Sequence, residues 1–290
     1  MYRVFVLVYM LLSAWTSAED EVSATGTTHR LGHSADTIKE DLRIATTHRN
    51  RRNSVANWLR LLLRLYLSEY GDAYEIEDIM EDTASIITGP GVLALVSGID
   101  PLRAGPRLVV VTRSYQVFRF RNFFIAAGYT LCDQASMVPP MAPFLSVESD
   151  PCIASVTQLS RTRDGLTRCV DIYGTSRYPE DMVPTFNATP YMNYFYSNGF
   201  AMLYPQMTMD RCGLIRSSDE EQYMPSTALP LGLHGYDLSD DVFDLARYRE
   251  ICPKLSRTPG DDFFLELEFR RDDYECRPIL DSWESCSLRE

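Results

Sequence analysis

The chain has 290 residues with 40 acidic and 28 basic side chains; its net charge of -12 repels phosphate backbones and argues against charge-driven nucleic-acid binding. With 45% hydrophobic and 23% charged residues, it is apolar enough to bury an ordinary core. Disorder is thereby not the default reading, and one domain of roughly 200–250 residues plus a tail is expected.

Residues 1–18 read as a signal peptide: Arg3, an apolar run from Val4 to Leu12, then Thr16-Ser17-Ala18 ahead of Glu19-Asp20-Glu21. A secreted protein is expected, with a cytoplasmic chain that starts on a buried helix as the alternative. No later segment reaches the ~18 apolar residues that cross a bilayer, so no integral membrane span is expected after leader removal. Residues 19–53 are polar, without a sustained apolar period, and read as a flexible lead-in. Within it His29 and His33 could share a helix face, but no third ligand stands nearby. The run His48-Arg49-Asn50-Arg51-Arg52 reads as a solvated junction, or as a dibasic processing site in a secreted chain.

Residues 54–290 are expected to form the single folded domain with a C-terminal extension. Ser54 suits an N-cap for a helix over Val55–Tyr70, with Trp58, Leu61, Leu62, Leu65 and Tyr66 buried and Arg60 and Arg64 on the other side. A helix over Glu75–Glu81 leads to a strand at Ala84–Thr88. The turn Gly89-Pro90-Gly91 opens a helix at Val92–Val96, and a loop over Gly98–Gly105 delivers a strand at Leu108–Val111. Tyr115–Ala127 reads as a helix stopped by Gly128. This alternation predicts an α/β (α+β) fold, a mixed sheet flanked by helices.

Residues 131–151 read as a proline-rich loop. Asp164-Gly165 joins β-prone runs at Ile153–Ser160 and Leu166–Ile172 into a hairpin. A helical patch is expected at Pro190–Asn198, a strand at Gly199–Tyr204, and a helix from Ser239 to about Ile251. Phe263–Phe269 alternates as an exposed edge strand does. The seven cysteines, at 132, 152, 169, 212, 252, 276 and 286, contain no C-x-x-C pair. They allow up to three disulfides in a secreted chain and plain buried thiols in a cytoplasmic one.

Nucleotidyl transfer requires divalent cations held by carboxylates, and a glycine turn that lets phosphates approach the backbone. Ile86-Ile87-Thr88-Gly89-Pro90-Gly91 with Leu93-Ala94-Leu95 resembles the turn-and-helix block of an uncharacterised group of nucleotidyltransferase-fold proteins from mushroom-forming fungi (basidiomycetes). Val170–Tyr173, Phe186–Phe195, Gly199–Pro205 and Cys212–Ile215 are similar to later blocks of that group, in the same order, so the resemblance covers roughly Ile86 to Ile215. It implies a nucleotidyltransferase-like fold with Asp-x-Asp on the strand after the turn and a third Asp on a later strand.

This chain departs from that pattern where the metal would bind. Arg107-Leu108-Val109 stands in place of Asp-x-Asp, Asp171 alone remains, and the turn serine is replaced by Pro90 or Gly91. The resemblance therefore implies a degenerate cleft of Gly89, Gly91, Arg107, Val109 and Asp171, with no catalytic residue, metal or other cofactor. An ion pair between Arg107 and Asp171 is expected in place of magnesium. The expected role is binding an unknown protein or small-molecule ligand. A secreted interaction protein unconnected with nucleotides is one alternative. Another is an active metal-dependent transferase that draws carboxylates from Asp164 or from Glu148 and Asp150.

The remaining candidates read as structure. No Gly-x-Ser-x-Gly element accompanies His234, which suits a loop better than a general base. Asn187-Ala188-Thr189 is a formal glycosylation sequon followed by Pro190, and Asp219-Glu220-Glu221 and Asp240-Asp241 suit solvated faces.

Overall fold

The computed structural model describes residues 40–45, 49–99, 101–104, 107–132, 152–186, 188–214, 235–239 and 264–269. The leader, most of the lead-in, all four histidines, Asn187, both acidic runs and Cys252, Cys276 and Cys286 lie outside them.

The lead-in is not all irregular. Residues 40–45 are helical, and Leu42 and Ala45, three apart on one face, are fully buried. Helix α1 (Arg49–Ser68) begins inside the arginine-rich run, ahead of the expected Ser54 cap, and Arg52 Nε donates to the Ala45 carbonyl at 2.8 Å. Its inward face is Val55, Leu59, Leu63, Tyr66 and Leu67, while Leu61 is exposed. A helix with leucine on several sides offers more than one apolar stripe, and polar pairing chooses among them. Arg64 donates through Nε and Nη2 to the two oxygens of Glu77, both at 2.9 Å, and Arg60 Nη2 reaches Glu77 Oε2 at 3.3 Å. Those arginines thus lock α1 to α2 (Ala73–Thr83). Asp72 caps α2, its Oδ1 accepting from the amides of Tyr74 and Glu75.

Strand β1 (Ile86–Thr88) is followed by α3 (Pro90–Val96), a helical turn α4 (Pro101–Ala104) in the expected loop, and β2 (Arg107–Arg113). A 3₁₀ turn at Ser114–Gln116 leads into α5 (Val117–Ala126), then β3 (Thr130–Leu131). The Asp164-Gly165 hairpin forms as expected, both residues at positive φ (53° and 75°), joining β4 (Ile153–Arg163) to β5 (Leu166–Thr175).

After the short α6 (Pro179–Met182), the expected helix at Pro190–Asn198 is replaced by a 3₁₀ turn at Thr189–Tyr191 and the hairpin of β6 (Asn193–Tyr196) and β7 (Gly199–Met202). Three consecutive aromatics, Tyr194-Phe195-Tyr196, fit a pleated surface better than a helix, and β6 uses them on both faces. Helix α7 (Pro205–Met209) and β8 (Cys212–Leu214) follow; β8 pairs in parallel with β9 (Asp237–Ser239), which places Ser239 at a strand end. The expected helix after it lies outside the described residues. Strand β10 (Leu265–Glu268) is the edge strand its alternation implies, with Leu265 and Leu267 buried and Glu266 and Glu268 exposed.

The main sheet runs β10-β7-β6-β1-β2-β5-β4-β3, mixed in sense: β2 and β5 are parallel and the other neighbours antiparallel. An α/β fold is therefore correct. Helix α1 packs against β7 and β10, and α5 against β4 and β5. Among the described residues no helix is long and apolar enough to cross a membrane. Among the described residues Cys132, Cys169 and Cys212 are free thiols, and Cys152 and Cys212 are buried.

Candidate functional site

Parallel pairing of β2 with β5 sets Val109 beside Asp171 and Arg107 beside Cys169. Across β1, Thr88 stands beside Val109, so the glycine turn that follows Thr88 lies at the same level of the sheet. Alternation along each strand turns 107 and 109 on β2, and 169, 171 and 173 on β5, toward one face. The Arg107–Asp171 contact agrees with that assignment. All five cleft residues expected from the resemblance are thus brought to one region.

At its centre is a buried ion pair. Arg107 Nη1 donates to Asp171 Oδ1 at 2.7 Å and Oδ2 at 2.6 Å, and Asp171 is 0% exposed. Burial pushes the Asp171 carboxyl above the ordinary carboxylate range, with the guanidinium pulling against that rise. Burial also works against the charge on Arg107, but the neighbouring carboxylate outweighs it and holds the guanidinium above its usual value. Cys169 is raised by burial, opposed by Arg107, so its thiol form is favoured.

The turn depends on its glycines for different reasons. Gly89 has φ 87° and ψ -161°, a conformation reserved for glycine. Gly91 lies so close to Tyr66 that a Cβ there would overlap the tyrosine hydroxyl. That hydroxyl donates to the Arg107 carbonyl at 2.9 Å, tying α1, the turn and the start of β2 together. Tyr66 was not evident from sequence because it is remote in the chain and its role rests on one contact.

Gln158 was also missed. It sits opposite Asp171 on β4, is 5% exposed, and helps hold the carboxyl down; among the described residues its Nε2 lacks standard hydrogen-bond geometry to any acceptor. A two-residue turn at Asp164-Gly165 pairs Arg163 with Leu166, and stepping back along that ladder places Gln158 opposite Asp171. The signal was present in the hairpin turn.

Of the alternative acidic residues, Asp164 lies away from Asp171. Asp164 is at the hairpin tip, one residue beyond the Arg163–Leu166 pair, which itself lies five ladder steps, or roughly 17 Å at strand rise, from the Gln158–Asp171 pair. Its carboxylate is highly exposed and faces Arg163 at 3.8 Å. Glu148 and Asp150 lie outside the described residues. Among the described residues, no three His, Cys, Asp or Glu side chains cluster as a metal ion needs.

Asp171 has both oxygens occupied by one guanidinium nitrogen, and Val109 offers only an aliphatic wall. Compared with known protein families, curated proteins and solved structures, the chain matches none.

Proposed function

We propose that the chain is a degenerate nucleotidyltransferase-like protein that binds a protein or small molecule and does not carry out metal-dependent nucleotidyl transfer. One observation carries this reading: Arg107, at the first of the two strand positions where the resembled pattern has carboxylates, donates to both oxygens of Asp171. A divalent ion needs those oxygens, and a second and third carboxylate besides. Position 109, directly beside Asp171, is valine. The mixed sheet, the turn at Gly89 and the placement of all these positions on one face support the nucleotidyltransferase-like part of the reading.

Calorimetric titration with ATP and GTP, each with and without magnesium, tests it. No magnesium-dependent binding and no transfer from an α-labelled nucleotide are expected. Tight magnesium-dependent binding, or label transfer lost in Asp171→Ala, would overturn the proposal. Secretion belongs to the same reading and rests on the leader alone; mass spectrometry should find the mature chain outside the cell, starting near Glu19. Recovery of peptides retaining Met1 from cell lysate would refute it.

A further inference from the structure

The Arg107–Asp171 pair leaves part of its guanidinium unused. Both hydrogen bonds to Asp171 start from Nη1, at 2.7 and 2.6 Å, so the Nε–Nη2 edge takes no part in the pair and finds no acceptor among the described residues. The Asp171 side chain keeps 1% of its surface and the Arg107 side chain 10%, so what solvent meets at this pair is the arginine. The Nε–H and an Nη2–H of one guanidinium run side by side, at a spacing that matches the two oxygens of a carboxylate. These donors converge by covalent geometry alone.

The surroundings of this guanidinium are small and polar. Strand β1 ends its ladder with Thr88 beside Val109, so no β1 residue pairs with Arg107 on that side. On the other side a single row crosses the sheet: Arg107 on β2, Cys169 on β5, Ser160 on β4 and Thr130 on β3, each directly beside the next. Partners in a ladder share a face, so these four side chains stand together. Cys169 and Ser160 are half-buried and Thr130 is exposed, and Cys132 joins them through a 3.5 Å contact with the Ser160 hydroxyl. None of Arg107's partners in the row carries a charge. The next cation on this face of β2 is Arg113, six residues on and roughly 20 Å away at strand rise.

Resting on the degenerate-cleft reading above, we propose that the Nε–Nη2 edge of Arg107 is the recognition point of the cleft and binds a small monocarboxylate, whose other polar groups lie along the Cys169–Ser160–Thr130 row. Charge sets the number of carboxylates. Asp171 already balances the guanidinium, so one further negative charge is shared with it, whereas a dicarboxylate or a phosphate dianion finds no second cation within reach. The hydroxyls of Ser160 and Thr130 can donate to, or accept from, a hydroxyl on the ligand. Asp171 acts on such a ligand only through Arg107. It orients the guanidinium and, as a neighbouring anion, weakens its hold on a second one.

The test is titration of the full chain with lactate, a hydroxylated monocarboxylate, followed through the arginine Nε–H resonances in nitrogen-15 spectra. One Nε–H cross-peak, absent from Arg107→Lys, should move saturably with lactate and stay in place with lactamide, which lacks the charge. Asp171→Asn removes the competing anion and keeps the side-chain shape, so lactate should bind at least about tenfold tighter. Should Arg107→Lys fail to fold, Cys169→Met keeps the ion pair, crowds the guanidinium from the adjoining strand and should abolish the shift. No saturable movement of any Nε–H, movement of a cross-peak that persists in Arg107→Lys or is unchanged in Cys169→Met, binding no tighter in Asp171→Asn, or displacement of lactate by an equal concentration of phosphate would each overturn the proposal. The two readings fail apart: magnesium-dependent nucleotide binding removes the degenerate-cleft reading itself, whereas silence toward both nucleotide and lactate removes the carboxylate site alone.

Discussion

Replacing Arg107 by leucine should reveal how much the candidate site depends on its ion pair. Asp171 is fully buried and takes both short hydrogen bonds from Arg107 Nη1. Removing the guanidinium leaves an uncompensated buried carboxylate, which costs about 3–5 kcal/mol. Asp171→Leu should cost less, about 1.5–3 kcal/mol, because the Arg107 side chain retains 10% exposure and can turn toward water. The double variant exchanges both charges for apolar volume and should fall close to wild type, so the coupling between the positions is several kcal/mol. Urea denaturation of the four proteins measures the cycle. The pH dependence has a defined sign. The folded-state Asp171 carboxyl is raised, and in Arg107→Leu it loses the guanidinium that opposes the rise. The folded variant therefore keeps a proton that the unfolded chain releases above about pH 4, so its stability is greatest below that pH and declines as pH increases. A cost below about 1 kcal/mol at pH 7, or one that does not shrink toward pH 4, would refute the reasoning.

Other outcomes follow from the same geometry. Arg107→Asp combined with Val109→Asp would put one carboxylate beside Asp171 and another beside Cys169 on the same face; manganese at 100 times its dissociation constant should then stabilise the variant by about 2.7 kcal/mol, with no effect on wild type. A folded variant indifferent to manganese in a thermal melt would contradict the assignment of positions 107 and 109. Gly91→Ala should lower stability by about 1–3 kcal/mol in denaturant, since the new methyl overlaps the Tyr66 hydroxyl. Buried tyrosines should resist alkali: Tyr129 and Tyr236 are pushed up to about 12 by burial, and burial likewise raises Tyr66, Tyr70, Tyr173, Tyr191, Tyr194 and Tyr196. Their contribution to stability is whole below pH 10 and is lost as pH rises toward 12 and above, so absorbance at 295 nm should show these tyrosines ionising together with unfolding.

Much of the sheet was legible because its signals are local. The Leu108–Val111 run, the Asp164-Gly165 turn and the alternation at Leu265–Glu268 each determine their own strand from adjacent residues. The β6–β7 hairpin was not legible, since Pro190 with neighbouring Tyr191 and Met192 looks like a helix start until the partner strands are known. The seam of α1 was misplaced for a related reason. Hydrophobic spacing alone could not show that Glu77, 13 residues beyond Arg64, draws the arginines inward. For the candidate site, the Arg107–Asp171 pair could be anticipated from the two positions, whereas Tyr66 and Gln158 required tertiary contact and strand register.

If the proposed reading is right, the changes at 107 and 109 are physically linked. Three carboxylates on neighbouring strands are tolerable only around a cation; without one, the buried members repel each other and must take up protons. Valine at 109 removes one such charge from a position with 0% exposure, in a parallel pair where both faces of β2 favour aliphatic packing. Asp171 then remains buried beside Gln158 with its charge uncompensated unless a cation is supplied from the protein itself. Arg107 supplies it through a single nitrogen at two short distances, with its carbonyl held by Tyr66. Asp171 and Arg107 are in this sense one feature: a carboxylate is compatible with the core at this point only while the guanidinium stays, and any ligand that engaged Asp171 directly would first have to displace it.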